Sequence, residues 1–172
     1  MTSDAEALAQ LVTKNKYYWS QFEPLHREEY YSVEAQLKKI VDGLNQQAAK
    51  REYSFAIEDA VTGRLIGHIS LYNIKRLPYL SGFIGYSVDV DYSGQGIATE
   101  AVALLQRFAF EQLHLHRLEA YVAPGNIGSV RVLEKSHMLR EGLLRKLLYI
   151  NGSWVDHYLY AILQEDYKQK KG

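Results

Sequence analysis

The chain contains no cysteine. Disulfides, thiolate zinc sites and cysteine nucleophiles are therefore excluded. It has no excess of either charge, because 20 Lys and Arg residues balance 20 Asp and Glu residues. A neutral chain offers no basic footprint for nucleic acid and no polybasic stretch for an anionic membrane. Long apolar runs are missing as well; nothing approaches the roughly 20 residues that a membrane-spanning helix requires. The opening MTSDAEALAQLVTKN lacks the apolar core of a secretory leader. These absences point to a soluble, cytoplasmic protein. Repeats, low-complexity runs and linkers are also lacking, and 172 residues is the length of one compact unit. The expectation is a single domain over residues 1–172, whose polar end QEDYKQKKG (164–172) frays.

Tyrosine, by contrast, is plentiful at 14 residues. Its ring packs while its hydroxyl seeks a partner, which suits a wet groove or a peptide-binding surface as well as an ordinary core.

Apolar spacing divides the chain. Ala5, Leu8, Ala9 and Val12 recur at helical intervals after Ser3 and Asp4, which can cap. Val33, Leu37, Ile40, Val41 and Leu44 make a second helical stripe behind a Ser32 N-cap. The period then shortens: YSFAIED, RLIGHISLYNI and SGFIGYSVDV read as strands, with a Thr62-Gly63 turn between the first two. A long helix over about 96 to 113 carries Ile97, Ala101, Leu104, Leu105 and Phe108. RLEAYVA is another strand, broken by Pro124-Gly125-Asn126 before a helix over NIGSVRVLEKS. The chain closes with LLRKLLYI, an Asn151-Gly152 turn and SWVDHYLYAIL, a hairpin with a favoured turn dipeptide. Three successive strands suggest an antiparallel meander. The strand–helix–strand unit at 83 to 122 suggests a parallel, right-handed crossover. The predicted class is α/β (α+β): a mixed, mostly antiparallel central sheet with helices on both faces.

The junction YSGQGIATEA joins a strand to the long helix. A helix N-terminus has unpaired N–H groups and a partial positive charge. Preceding glycines let the backbone approach phosphate oxygens, though they also serve a plain tight turn. The dinucleotide spacing fails because Thr99 stands at its third glycine position, and the phosphate-loop ending Gly-Lys-Ser/Thr is absent. If the strands ending at Val90 and near Pro124 splay, their free backbone groups can dock a ligand with amides, as an added strand does. A ligand with amides at one end and a pyrophosphate at the other is coenzyme A.

Ser93-Gly94-Gln95-Gly96-Ile97-Ala98 resembles the acetyl-CoA motif of the GNAT superfamily of N-acetyltransferases, Gln/Arg-x-x-Gly-x-Gly/Ala, with Ser93 in the leading position. HRLEAYVAPGN, the Asn-x-x-Ser of Asn126 and Ser129, REG and NGSWVDHYLYAIL resemble the RimJ/RimL branch, the ribosomal-protein alanine N-acetyltransferases. The resemblance runs from about Ala5 to Leu163. It implies acetyl-CoA as cosubstrate, no metal, and splayed parallel strands at the cofactor cleft. It also implies that Val88, Asp89 and Val90 line the pantetheine arm, and that Ser93, Gly94, Gln95, Gly96, Ile97, Ala98 and Thr99 surround the pyrophosphate. Asn126, Ser129 and Leu133 follow along the next helix. The weak His114–His116 pair is not needed as a metal site.

The chain departs from the family pattern in places. A tyrosine that acts as general acid in many members is replaced by Leu133, which has no proton to give. Ser129 becomes the candidate acid, with Asn126 beside it; a first-turn serine also simply satisfies backbone. His137-Met138 stands where Gly-Phe usually follows this helix, which implies a different or strained exit. The family's first strand is missing here, leaving residues 53 to 58 as an exposed edge. A base must take the proton of an amine whose pKa is near 8. Glu119 leads the candidates, followed by Glu100, Asp89 and Asp156, and each has a structural role as the alternative. The implied acceptor is a protein N-terminus, most naturally of a ribosomal protein. The alternatives are a small amine (polyamine or aminoglycoside) or coenzyme A binding without catalysis. No nucleic-acid or membrane partner is implied, and a homodimer is compatible with the family.

Overall fold

The computed structural model describes residues 1–171. Its helices are Ala5–Lys14 (α1), Lys16–Trp19 (α2), Val33–Ala48 (α3), Ile97–Arg107 (α4), Ile127–Lys135 (α5) and Gln164–Lys171 (α6). The strands are Tyr53–Glu58 (β1), Leu65–Lys75 (β2), Ser81–Val88 (β3), Arg117–Val122 (β4), Leu139–Ile150 (β5) and Ser153–Leu163 (β6). They form one sheet in the order β1-β2-β3-β4-β6-β5. Every neighbouring pair is antiparallel except β3 with β4, which is the expected mixed sheet. As anticipated for residues 53 to 58, β1 lies at one open edge.

The parallel pair is short. Ser81 faces Arg117, Gly82 faces Leu118 and Phe83 faces Glu119; no pairing follows. Beyond that point β3 stays with β2 as far as Val88, and β4 stays with β6 as far as Val122. Each half of the sheet follows the twist of its own antiparallel partner, so the two halves part.

Alternation sorts the sheet's side chains onto two faces. Ile69, Leu71, Ile84, Leu118, Ala120, Tyr160 and Ile162 pack with Ala101, Val102 and Leu105 of α4, Leu133 of α5 and Tyr167 of α6. Leu71, Val102, Leu118 and Ile162 have no exposed surface, and burying each contributes about 1.5–3 kcal/mol. The opposite face carries α1 on β2 and α3 on β1. There Trp19 meets His68 edge-on, with ring centroids 5.6 Å apart.

Several expectations change. Ser32 does cap α3, its Oγ accepting from the Ala35 N–H at 3.1 Å. Yet Val33, Leu37, Val41 and Leu44 are exposed, and the helix turns fully buried Gln36 inward. The Gln36 amide nitrogen donates to the Tyr30 carbonyl, which meets part of the cost of burying it, while its amide oxygen has no partner among the described residues. The helix predicted over 96 to 113 is α-helical only to Arg107 and continues as a π turn over Phe108–Gln112. This wider turn brings Ala109 and Phe110 into the core. The polar end is not frayed over residues 164–171, and Gly172 lies outside the described residues. It forms α6, because Tyr167 packs on Phe110 at 5.1 Å and donates its hydroxyl to Glu111 at 2.6 Å. The exit of α5 keeps the left-handed geometry without the usual glycine, with His137 at φ 62°. Met138 N–H bonds back to Leu133 and His137 N–H to Glu134, the pattern of a Schellman cap. The Asn151-Gly152 turn has positive φ at both residues, as a tight hairpin requires.

Two stability changes follow. His137→Gly should raise the urea unfolding free energy by about 1 kcal/mol, because glycine adopts this conformation without Cβ strain. Tyr167→Ala should lower it by about 2–4 kcal/mol through lost burial, whereas a frayed tail would leave it unchanged.

Candidate active site

The glycine junction is conformationally demanding. Gly94 lies at φ +73° and Gly96 at φ +81°, and an added Cβ would meet nothing within 4 Å at either. The requirement is therefore one of backbone angle, not of space. Gly96 caps α4, and Glu100 N–H is bonded to its carbonyl at 3.0 Å. The N–H groups of Ile97, Ala98 and Thr99 sit in the first turn, where a helix offers no internal acceptor. Two side chains brace the turn from outside: Ser93 Oγ donates to the Val90 carbonyl at 2.9 Å, and Gln95 Nε2 donates to the Asp91 carbonyl at 3.2 Å. Both are spent on the loop, which leaves main-chain donors to meet an anion.

The splay exposes backbone as well. Asp89 N–H donates to the Ile66 carbonyl at 2.7 Å, so Asp89 and Ser87 direct their main-chain groups toward β2. Those of Tyr86 and Val88 point the other way, into the splay. The Val88 carbonyl there receives the Trp19 indole N–H at 3.0 Å. Val90 does not join this edge, contrary to expectation. Its N–H donates to Asn15 Oδ1 at 2.9 Å and its carbonyl accepts from Ser93 N–H at 3.2 Å, because the chain has already turned into a 3₁₀ segment.

Across the splay, Asn126 caps α5 by accepting from Ser129 N–H at 3.2 Å. Its amide nitrogen remains the donor that a ligand carbonyl can use. Ser129 Oγ lies 2.7 Å from the Tyr86 hydroxyl. Burial pushes the Tyr86 phenol up to about 12, the hydrogen bond with Ser129 pulling weakly the other way, so the phenol stays protonated at neutral pH. Tyr86 was missed in the sequence, although strand alternation already placed it on the face of Ile84 and Val88. Leu133 is corrected: it is 1% exposed within the core and reaches no cleft.

The expected base candidates are engaged elsewhere. Asp89 has no exposed surface; it accepts from Lys14 Nζ at 2.8 Å and from Asp91 N–H at 3.1 Å. Burial opposes its ionisation, but these donors outweigh it and hold the carboxyl below its usual range. Glu119 is bound by two guanidinium nitrogens of Arg117, at 2.9 and 3.0 Å, and Arg117 also pairs with Glu141. Asp156 accepts from Lys146 N–H at 2.7 Å and braces the irregular stretch of β5. Glu100 stands exposed in the first turn of α4, on the anion side.

Sequence reading missed the opposite wall. A cavity of about 280 Å³ lies on the α1–α3 face, lined by Lys16, Trp19, Glu23, Tyr30, Tyr31 and His68 among others. Glu23 accepts from Ser87 Oγ at 2.7 Å. Burial raises its carboxyl, partly countered by that hydrogen bond and by Lys39. Burial also lowers the His68 imidazole to about 4, with Lys39 adding to the effect. Only the aromatic run YYWSQFEPLHREEYY hinted at this wall.

The fold that holds this glycine junction, the parting strands and the Asn126 cap is shared with known proteins. The profile described as acetyltransferase (GNAT) domain matches residues 1–139. The chain belongs to the GNAT acetyltransferase family. It is an acetyl-CoA-dependent N-acetyltransferase. A Bacillus subtilis protein called "Probable N-acetyltransferase YjcK" is 44% identical over 97% of this chain and 92% of its own length. Among solved structures, the ribosomal-protein-S5-alanine acetyltransferase of Vibrio fischeri superposes with a TM-score of 0.92 at 31% identity, covering 96% of this chain and 90% of that one. Mycobacterium smegmatis RimJ, in complex with CoA-disulfide, gives 0.91 at 30% identity, covering 96% and 80%. Among the described residues, no helix of this GNAT protein is long and apolar enough to cross a membrane.

His68, half-buried in the cavity wall, sets a pH signature. The unfolded chain takes up its proton near pH 6.5, but the folded form does so only near about 4. The stability owed to neutral His68 is thus complete above pH 6.5 and is lost as pH falls toward 4. Urea unfolding across this range should show the advantage of the parent over His68→Gln shrinking steadily with acidification; a constant difference would contradict a half-buried neutral imidazole.

Proposed function

We propose that this acetyltransferase modifies the N-terminal amine of a protein, with a ribosomal protein as the favoured acceptor. The observation that carries the reading is the shape and lining of the α1–α3 face. The cavity at Glu23 shares Tyr30, Lys39 and His68 with a second groove of about 520 Å³ between α3 and strands β1 and β2. An amine entering the first cavity has a track for the residues that follow it. A polycation would favour an acidic cup instead. Here Lys16, paired with Glu28, and Lys39 flank the single carboxylate of Glu23. The relatives named for ribosomal-protein alanine acetylation support the same acceptor class.

The roles divide across the two faces. Main-chain N–H groups from Gly94 to Thr99 hold the pyrophosphate, with Ser93 and Gln95 shaping the loop. The Asn126 amide pairs with the pantetheine arm, which runs along the parted edge of β3. The thioester then lies in the splay, where the Val88 N–H meets the oxyanion. Ser129, backed by Tyr86, gives the proton to the departing thiolate, which takes over the role of the tyrosine absent at Leu133.

The test is a panel of acceptors with acetyl-CoA, followed by thiol release. Peptides starting with Ala or Ser should be turned over with kcat/KM at least roughly tenfold above spermidine or an aminoglycoside, and N-terminally blocked copies should be inert. Turnover of the small amines without any peptide would replace this reading.

A further inference from the structure

The Ser129–Tyr86 pair and the cavity at Glu23 lie on opposite faces of the sheet. Trp19 and Glu23 are the link between them. Glu23 N–H is bonded to the Trp19 carbonyl at 3.1 Å, so the two side chains leave the same side of one turn. They grip adjacent residues of β3: Trp19 the carbonyl of Val88 and Glu23 the hydroxyl of Ser87. The Glu23 carboxylate therefore stands one residue from the main-chain groups that line the splay, on the cavity side. The carboxylates of Asp89, Glu119 and Asp156 are each held by other partners.

We propose that Glu23 is the general base that deprotonates the acceptor amine. This rests on the protein-amine reading for the identity of the acceptor. In the first step Glu23 takes one proton from the ammonium and releases it to water through the open cavity. The nitrogen lone pair then forms the C–N bond as the carbonyl electron pair moves onto oxygen. Collapse breaks the C–S bond. The nitrogen loses its second proton, and the thiolate gains one through the Ser129 hydroxyl. The balance is one amide, one thiol and one proton released.

The surroundings suit this duty. Burial raises the Glu23 carboxyl above its usual range, toward an α-amine pKa of about 8, which makes the transfer less uphill. The titratable and charged groups around it are Lys16 on α2, Lys39 on α3, His26, Tyr30 and Tyr31 on the connecting segment, and His68 on β2. Lys16 is engaged with Glu28 and stacks over Tyr31 at 4.8 Å, and Lys39 donates to the Tyr30 hydroxyl at 3.0 Å. His68 stays neutral. Among the described residues, Glu23 thus has no guanidinium or ammonium hydrogen-bonded to it, in contrast to Asp89 and Glu119.

The test compares the full-length parent with Glu23→Gln and Ser87→Ala, using acetyl-CoA and an Ala- or Ser-starting peptide, over about pH 6 to 9.5. Glu23→Gln should lose about 100-fold in kcat/KM near neutral pH, and the loss should narrow above about pH 8, where the amine is already free. CoA affinity by calorimetry should be unchanged. Ser87→Ala keeps the carboxylate but removes its hydrogen-bond donor, so the acidic limb of its pH profile should move upward; this variant carries the test if Glu23→Gln does not fold. Activity of Glu23→Gln within about threefold of the parent at every pH would overturn the proposal. So would a pH-independent loss that tracks a lowered unfolding midpoint, because that is the mark of a loop anchor. If the parent acetylates only a small amine, the acceptor reading fails, and the same variants assayed with that amine still decide the role of Glu23.

Discussion

The parting of β3 from β4 is the constraint on which the rest of this molecule depends. Three residue pairs hold the strands together, and then each is held by its outer antiparallel neighbour. Unpaired main-chain groups are tolerated only where something else can satisfy them. At β3 the Trp19 indole takes the Val88 carbonyl, which leaves the Val88 N–H directed into the gap. The same parting lets the start of α4 and the cap of α5 face each other across a slot. A ligand with its own amides can supply the bonds that the missing β pairing would have made.

The α1–α2 region is fastened to this slot by polar contacts. Asn15, with no exposed surface, donates to Leu11 and accepts from Val90 N–H. Lys14 pairs with buried Asp89 and with Asp91. A buried ion pair adds little net stability after desolvation, but breaking one partner leaves an uncompensated charge. Its use here is positional. It fixes where the end of α1 meets the end of β3, and so where Trp19 and Glu23 stand. On the far side, the Asn151 amide donates to the Ser20 carbonyl at 2.5 Å and ties the β5–β6 turn to the end of α2. Two segments that are distant in the chain thereby flank one opening.

The local geometry at the starts of α4 and α5 was legible in sequence. Gly94 and Gly96 mark a backbone that must turn left-handed, and the following residues must start a helix; both properties are local. The Asn-x-x-Ser cap at Asn126 and Ser129 is likewise a local motif. Val90 and Leu133 were misplaced for the complementary reason. The strand ends two residues sooner than its alternation implies, and Asn15, 75 residues away, captures the Val90 N–H. Leu133 faces inward because α5 rotates to bury it against the sheet. Periodicity reports that a helix has an apolar side, but not which neighbour that side meets. The same limit explains α3, whose buried Gln36 and exposed Val33, Leu37, Val41 and Leu44 invert the expected face.

The sequence by itself determined the glycine cradle, the order of helices and strands, and the family to which they belong. These follow from backbone conformational limits and short-range periodicity, which act within a few residues. Only the tertiary structure decided which acidic group is available. Asp89, Glu119, Asp156 and Glu23 are all carboxylates, and nothing local separates them. Lys14, Arg117 and the Lys146 main chain engage the first three, while Glu23 receives a serine hydroxyl in a partly desolvated cavity. Charge pairing and burial are set by residues far away in the chain, so the cavity around Glu23 became visible only once the fold had brought α2, β2 and β3 together.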